Sequence, residues 1–318
     1  MNGIGRHVSR LSGYAPALPT PFDEDGAIDC AAFERLCALQ VEAGATALVV
    51  AGTTGEASTL TPGEHWQLIR LATSVARGVP VIAGAGSNAT CHAIELTKAA
   101  ENAGADAVLS VVPYYNKPTQ AGLLAHFTEV AKATGLPIIV YDIPSRSACG
   151  LADDTLVRLA DNQQFIGLKD ASGDITRPMR LKAKFGDDFR LLSGDDATAF
   201  AFISQGGHGC ISVTSNVAPG LCRSMYLAYR QGRIAEAQRW ACDVAAVTAA
   251  LMRESNPAPL KFALHLLGLM RPSVRLPLVE PTEATRNEIA AVLMEMRECF
   301  ADYTIGVGGR ARRRCAAE

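Results

Sequence analysis

Residues 44–50 read GATALVV, and one glycine followed by a short apolar run recurs as GVPVIAG at 78–84, GADAVLSVV at 104–112 and GLPIIVY at 135–141. The glycines lie roughly 30 residues apart, which is about the length of one βα unit. A glycine directly before an apolar run is typical of a helix end, where a left-handed residue stops the helix. The four segments therefore predict a repeated unit of helix, glycine and strand.

Four further apolar runs extend this pattern towards both ends of the chain. They are YAPAL at 14–18, FIGLK at 165–169, FRLLS at 189–193 and GCISV at 209–213. Because the runs are apolar at successive positions rather than alternate ones, they are typical of parallel strands buried on both faces. Eight parallel strands with intervening helices predict an α/β fold, the (β/α)8 TIM barrel.

An open, doubly wound sheet is the alternative that the same periodicity allows. Its usual phosphate-binding fingerprint, G-x-G-x-x-G, is not met, since residues 84–89 read GAGSNA. The barrel is therefore the favoured fold. A representative outer helix is expected to begin after Asp29 and to place Phe33, Cys37 and Val41 on one apolar stripe.

Helical patterns continue beyond the last strand, around residues 219–231, 234–252, 259–269 and 282–300. A barrel needs only the first of them, so the others predict a C-terminal helical appendage. The expected organisation is an N-terminal extension (1–12), the barrel (13–232), a C-terminal helical region (233–301) and an Arg-rich tail (302–318). The tail lacks apolar periodicity, so we expect it to be disordered.

The composition of the 318 residues excludes several classes of protein. The formal net charge is −2, so the chain lacks the basic field that attracts nucleic acid or anionic lipid. With 48% hydrophobic and 19% charged residues, it can bury a large core. The uncharged stretch 197–222 contains too many polar side chains for a membrane span. We therefore expect a globular protein that binds neither nucleic acid nor membranes.

The distribution of cysteine and histidine indicates a reducing compartment and no metal. The 9 cysteines include no C-x-x-C pair, and the 6 histidines show no metal-ligand spacing. The N-terminus has no continuous apolar stretch, so a signal peptide is not indicated. Asp195 and Asp196 lie in a glycine-rich loop without an adjacent cation, which argues against a phosphate site. The sequence thus predicts a cytoplasmic protein without metal or cofactor.

Polar residues follow each apolar run, and in a parallel barrel such residues collect at the carboxyl ends of the strands. Lys169 ends one run, where burial disfavours the charged ammonium and favours an amine that attacks a carbonyl substrate. Tyr141 ends the preceding strand and offers a phenol for proton transfer. The alternatives are a lysine paired with Asp170 and a tyrosine whose hydroxyl is purely structural.

Two loops at the same rim offer groups that suit a carboxylate. Thr53 and Thr54 lie in the turn GTTGE (52–56), whose hydroxyls and amides suit a carboxylate or a proton relay, although an ordinary turn explains them equally well. Arg146 follows Tyr141 on its loop and can bind a carboxylate with two parallel hydrogen bonds, or can simply face solvent. The residues alone leave these alternatives open.

The motifs, taken in order, resemble those of the dihydrodipicolinate synthase/N-acetylneuraminate lyase family of class I aldolases. They are GTTGEAS (52–58), PYYNKP (113–118), YDIPSR (141–146), GLKDASGD (167–174), LLSGDDAT (191–198) and GGHGCISVTSN (206–216). The resemblance extends from about Tyr14 to Arg297. It is greatest to the branch that condenses pyruvate with aspartate 4-semialdehyde on the pathway to lysine and diaminopimelate.

The resemblance implies a catalytic role for four residues. Lys169 would form an imine with pyruvate, and Tyr141 would transfer protons. Thr53 would connect Tyr141 to Tyr115, which in the family enters from a neighbouring subunit. A hydrogen-bonded chain of this kind can carry protons between the pocket and its surroundings.

The resemblance also implies three substrate-binding residues and an assembly. Thr54 would hold the pyruvate carboxylate, Ile211 would contact it through the backbone, and Arg146 would hold the semialdehyde carboxylate. Members of the family are usually homotetramers built as a dimer of dimers, so the same assembly is expected here.

Several residues depart from the family pattern. Asp142 replaces the usual Asn, and Ser147-Ala148 replaces the usual Thr-Gly, which bears on selectivity for the second substrate. At the position of the family's lysine-binding site, Ala57, Pro62 and His92 replace the usual side chains, and His92 stands in place of a glutamate. His65, Asn88 and Tyr114 are retained. Because histidine cannot replace a carboxylate towards an ammonium group, we expect weak or absent inhibition by lysine.

Two other functions remain as alternatives. A lyase or dehydratase acting on N-acetylneuraminate or a 2-keto-3-deoxy sugar acid would use the same lysine imine, but it would need groups that bind a polyol tail. A catalytically silent barrel that binds ligands or partners is the other alternative, and the presence of both Lys169 and Tyr141 argues against it.

Overall fold

Eight parallel strands form one sheet in the computed structural model, which describes residues 11–300. The strands are β1 (Gly13–Pro16), β2 (Leu48–Val50), β3 (Val81–Gly84), β4 (Ala107–Val111), β5 (Ile138–Asp142), β6 (Phe165–Asp170), β7 (Arg190–Ser193) and β8 (Gly209–Ser212). From β2 to β8, neighbours in sequence pair in the sheet, and β1 pairs with β8. A parallel bridge between Ala17 and Val49 brings β1 to β2 and closes the barrel. The predicted TIM barrel is confirmed.

Each strand is buried on both faces. Side chains such as Ile82, Leu109 and Ile211 point into the barrel and form one apolar cluster. Alternate residues such as Val81 and Val108 belong to a second cluster between the strands and the surrounding helices. These two layers explain why the strands read as continuous apolar runs. They also place residues at the carboxyl ends of the strands at the mouth of the barrel.

Helices follow the strands in regular alternation. They are α1 (Cys30–Glu42), α2 (Pro62–Val75), α3 (Thr90–Asn102), α4 (Gln120–Lys132), the short α5 (Pro144–Ser147), α6 (Asp153–Ala160), α7 (Arg177–Phe185), α8 (Ala199–Ser204) and α9 (Pro219–Arg230). Asp29 caps α1 as predicted, because its side chain accepts a hydrogen bond from the Ala32 amide at 2.9 Å. Phe33 and Cys37 are buried, whereas Val41 is only half-buried.

The glycines before four of the strands do not all act in the predicted way. Gly44, Gly78 and Gly104 follow their helices with φ angles of 87°, 84° and 88°, a region that side chains with a Cβ rarely enter. Gly135 does not adopt a positive φ. There the helix ends at a right-handed cap, and the Gly135 amide donates to a carboxylate oxygen of Glu101 at 3.1 Å.

Three more helices follow the barrel: α10 (Ile234–Leu251), α11 (Ala258–Leu266) and α12 (Glu283–Phe300). Val244, Leu260 and Ile289 belong to the same apolar cluster as the outward-facing strand residues, so these helices pack onto the barrel. Within residues 11–300, no helix is both long and apolar enough to cross a membrane. Residues 1–10 of the expected extension and the expected tail, 302–318, lie outside the described residues.

Candidate active site

Lys169 and Tyr141 lie side by side at the carboxyl end of the barrel. The two residues are paired in the register of β5 and β6. The Lys169 Nζ lies 4.1 Å from the centre of the Tyr141 ring. Both side chains are largely buried, with 7% and 6% of their surface exposed. The strand register therefore brings together the amine and the phenol that the sequence singled out.

Lys169 has no ion-pair partner among the side chains that the structure describes. Asp170 faces the other side of β6, because successive strand residues alternate in direction. One Asp170 oxygen accepts from the Ser172 amide at 2.8 Å, and the other lies 3.6 Å from the Arg177 guanidinium. The alternative of a Lys169–Asp170 pair is therefore not what the structure shows, and the amine remains available for chemistry.

Gly194, in the loop after β7, lies directly against the Lys169 side chain. A Cβ at this position would stand 3.1 Å from Lys169 Cε and 3.0 Å from the Ala171 Cβ. The Gly194 amide also donates to the Asp170 carbonyl at 2.7 Å. A side chain at 194 would therefore force its neighbours to move by a few tenths of an ångström, and the close approach restricts the conformations open to the lysine.

The turn that carries Thr53 and Thr54 lies tightly against the end of β3. A Cβ at Gly84 would stand 2.3 Å from the Ala51 carbonyl oxygen, so only glycine allows this contact. Thr54 is buried, and its hydroxyl oxygen accepts a hydrogen bond from Asn256 Nδ2 at 2.9 Å. Because that oxygen accepts, its own O–H remains free to donate to a substrate. Thr53 is exposed, and its hydroxyl is unbonded among residues 11–296.

A buried ion pair that the sequence analysis missed holds the same turn. Lys261 of α11 donates to Glu56 at 2.7 Å, and both side chains are fully buried. The Lys261 Nζ lies 4.2 Å from the Phe22 ring centre, and the Arg275 amide donates to the other Glu56 oxygen at 2.9 Å. Burial lowers the pKa of Lys261 to about 8, and the nearby Glu56 opposes this effect. The C-terminal helical region thus fixes the GTTGE turn.

Ile211 points into the barrel from β8, and a buried carboxylate fixes the backbone that follows it. Asp196 accepts hydrogen bonds from Ser212 Oγ at 2.5 Å, from the Val213 amide at 2.7 Å and from the Thr214 amide at 3.0 Å. Burial raises the pKa of Asp196, and these hydrogen bonds oppose the rise. The anchoring role of Asp196 was not predicted from the sequence, where this residue only argued against a phosphate site.

Arg146 lies on α5, where its side chain is exposed and forms no ion pair with the side chains described. Asp142, at the end of β5, faces away from the barrel interior and accepts from Arg177 at 2.7 Å. The Asp142 side chain, which differs from the expected Asn, therefore does not face the substrate. Ala148 adopts a φ of 59°, a left-handed conformation that glycine, the residue expected there from the family resemblance, enters more easily.

Tyr115 follows β4 and is 88% exposed, with a φ of 75°. In the described part of the chain, the hydroxyls of Tyr115, Thr53 and Tyr141 have no hydrogen-bond partners. A single subunit therefore does not show the Tyr–Thr–Tyr chain. The relay through a neighbouring subunit stays a prediction.

The residues at the expected lysine-binding positions differ in exposure. His92, Ala57 and Pro62 are exposed. His65 is buried, its Nε2 lies 2.7 Å from the Gly84 carbonyl oxygen, and burial lowers its pKa. Among the residues described, no three His, Cys, Asp or Glu side chains are grouped as metal ligands.

The comparisons with known proteins agree on one family. Residues 10–296 match the model of the dihydrodipicolinate synthetase family. The 4-hydroxy-tetrahydrodipicolinate synthase of Rhodospirillum centenum is 49% identical over 284 residues, which cover 89% of this chain and 97% of that protein.

Two solved structures show the same fold. The chloride-inhibited dihydrodipicolinate synthase of Acinetobacter baumannii, complexed with pyruvate, is 41% identical, with a TM-score of 0.87 over 90% of this chain and 98% of that one. A monomeric dihydrodipicolinate synthase variant is 38% identical, with a TM-score of 0.88 over 91% of this chain and 97% of that one.

Proposed function

The chain belongs to the dihydrodipicolinate synthetase family, and we propose that it condenses pyruvate with L-aspartate 4-semialdehyde through an imine on Lys169. The position of Lys169 carries this proposal: a largely buried amine lies at the barrel mouth, 4.1 Å from the Tyr141 ring, with no ion-pair partner among the described side chains. The name of the Rhodospirillum centenum relative favours the semialdehyde over N-acetylneuraminate and other sugar acids, and it argues against a silent barrel.

The chemistry begins at the Lys169 nitrogen. Its lone pair attacks the C2 carbonyl of pyruvate, and loss of water gives the imine. Removal of a proton from C3 gives an enamine, whose C3 then bonds to the aldehyde carbon of the second substrate. The amino group of that substrate next attacks C2, which closes the ring and releases the lysine as 4-hydroxy-tetrahydrodipicolinate forms. The lysine amine supplies the covalent chemistry, so these steps need no cofactor.

Tyr141 is positioned to move protons in these steps. Its ring lies 4.1 Å from the Lys169 amine, and both imine formation and enamine formation require proton transfer. We assign Thr53 and Tyr115 to the same relay. The exposure of both side chains is consistent with completion of the relay between two subunits.

Three residues are assigned to substrate carboxylates. The free O–H of Thr54 and the backbone at Ile211 would hold pyruvate, because both lie at the carboxyl ends of their strands. Arg146 would hold the carboxylate of the semialdehyde, since its guanidinium is exposed and unpaired among the described residues.

Borohydride trapping tests the proposed intermediate directly. Incubation with pyruvate and borohydride should reduce the imine and attach the pyruvate carbons irreversibly to Lys169, located by peptide mass spectrometry. Lys169→Ala should trap nothing, while the surface variant Lys132→Ala should trap as the wild type does. Labelling at another lysine, or no labelling at all, would overturn the mechanism.

We further propose a homotetramer, a dimer of dimers, in which Tyr115 completes the site of its neighbour. Its 88% exposure supports this, although one structural neighbour is monomeric. Sedimentation velocity tests the assembly. Mixing the inactive variants Lys169→Ala and Tyr115→Phe, after dissociation and reassembly, should restore part of the activity, because the hybrid contains one complete site per pair. Absence of complementation would show that Tyr115 acts within its own subunit or not at all.

We also propose a cytoplasmic location and retain the division into a barrel (13–232) and a C-terminal helical region (233–301). The scattered cysteines, which indicate a reducing compartment, support the cytoplasmic location. Fractionation of cells that produce the tagged protein tests the location. Limited proteolysis tests the division, with cleavage expected near residue 232 before cleavage within the barrel.

A further inference from the structure

The loop that presents Arg146 begins and ends at one buried guanidinium. We propose that Arg177 is a positioning residue for the second substrate, because it holds both ends of the loop between β5 and α6. This proposal rests on the role proposed above for Arg146. Arg177 itself lies at the start of α7 and is only 4% exposed, so it acts from behind the loop rather than on the substrate.

The contacts of Arg177 define the base of the loop. Its guanidinium donates to Asp142 at 2.7 Å, at the end of β5. It also donates to the Leu151 carbonyl at 2.6 Å and to Asp153 at 2.8 Å, at the start of α6. The Leu151 amide in turn donates to Asp142 at 3.2 Å. One planar group therefore joins the two ends of the loop on which Arg146 lies.

The same guanidinium also contacts the two strands that carry the reacting residues. Asp142 follows Tyr141, and Asp170 follows Lys169, and the two aspartates are paired in the register of β5 and β6. Arg177 lies 3.6 Å from Asp170 as well as 2.7 Å from Asp142. It therefore fixes the loop relative to the two strands that present the amine and the phenol. Arg146 must lie at a distance from Lys169 that accommodates the lysine-bound pyruvate and the semialdehyde together, and this arrangement sets that distance.

Arginine is suited to this task because its fixed, planar fork makes several directed hydrogen bonds at once. A lysine offers the same charge from one point and cannot reach all three partners in the same geometry. Loss of the fork should therefore leave the loop folded but let it shift, together with Arg146, relative to Lys169. A displaced Arg146 would orient the second substrate less well, and misplacement of a positioning group by about 1 Å can cost about 100-fold in catalysis.

Two neighbouring carboxylates on α6 provide a matched pair of variants. Asp153 binds Arg177 and, at 3.3 Å, Arg180, and its side chain is 22% exposed. Among the described side chains, Asp154 pairs only with Lys184, at 3.2 Å, and its own side chain is 93% exposed. Both lie in the first turn of the helix, so Asp153→Asn and Asp154→Asn remove the same charge from the same helix end.

The experiment is steady-state kinetics of the full-length protein with each substrate varied in turn, together with melting curves. Arg177→Lys and Asp153→Asn should raise KM for aspartate 4-semialdehyde about ten-fold. KM for pyruvate and the yield of borohydride-trapped imine should stay at the wild-type level. Asp154→Asn should change none of these values. Arg146→Ala, measured in parallel, should raise the same KM by at least as much.

Each outcome decides between distinct conclusions. If Arg146→Ala raises KM for the semialdehyde but Arg177→Lys and Asp153→Asn lower only the melting temperature, Arg177 is structural and the inference is wrong. If both KM values change together, Arg177 supports the fold as a whole and the inference is again wrong. If Arg146→Ala leaves KM for the semialdehyde unchanged, the proposed role of Arg146 fails, and the inference fails with it.

Discussion

Replacing Lys261 by methionine tests how the C-terminal helices hold the substrate turn. The variant leaves Glu56 fully buried, 2.7 Å from where its cation was. Removing one partner of a buried ion pair costs about 3–5 kcal/mol of stability. Methionine keeps most of the apolar stem, so the cavity adds little. The Arg275 amide still donates to Glu56, so we expect a loss near the lower end, about 3 kcal/mol.

Urea denaturation followed by circular dichroism measures this loss, and two further variants control it. Replacing both members, Lys261→Met with Glu56→Leu, should recover part of this loss, because no unpaired charge stays buried, while the Arg275 amide loses its acceptor at a cost of about 1 kcal/mol or more. Lys132→Met removes an exposed pair with Glu129 and should cost less than about 0.5 kcal/mol. A Lys261→Met loss below about 1 kcal/mol would refute the reasoning.

Three further predictions concern the site and its surroundings. Gly194→Ala should lower the rate of imine trapping about ten-fold, because its Cβ would stand 3.1 Å from Lys169 Cε, while Gly63→Ala, without a close neighbour, should not change it; equal rates would contradict the packing explanation. Burial raises the pKa of Asp142 above its usual value although the Arg177 guanidinium opposes this, so Asp142 binds a proton more tightly in the folded than in the unfolded state, and its contribution to stability should fall as pH rises through that raised pKa. Asp142→Asn should make this fall smaller in denaturation curves collected across pH, while Asp196, whose pKa burial also raises, keeps its own contribution. An unchanged decline in the variant would exclude Asp142 as a cause. Lysine should inhibit weakly or not at all in a steady-state titration, because His92 stands where the family resemblance predicts a glutamate, and inhibition at micromolar lysine would refute this expectation.

The barrel could be predicted because its determinants are local. Each strand, such as GLPIIVY at 135–141, carries its own apolar run and its own boundary signal. Lys169 and Tyr141 could be singled out for the same reason, since each ends such a run. Gly135 shows the limit of the rule, because a hydrogen bond to Glu101 there replaces the left-handed turn.

The supports of the site could not be predicted because they join distant parts of the chain. Asn256 lies 202 positions from Thr54, and Lys261 lies 205 positions from Glu56. No periodicity or local motif connects such residues. The only local sign is the lysine within the apolar helix APLKFALHL (258–266), and a lysine of this kind could equally have faced solvent.

Diffraction from crystals soaked in pyruvate tests the central claim most directly. We expect continuous electron density from the Lys169 Nζ to the C2 atom of pyruvate, with the pyruvate carboxylate against Thr54. Pyruvate bound without a bond to that nitrogen, or joined to another side chain while Lys169 stays unmodified, would contradict the account.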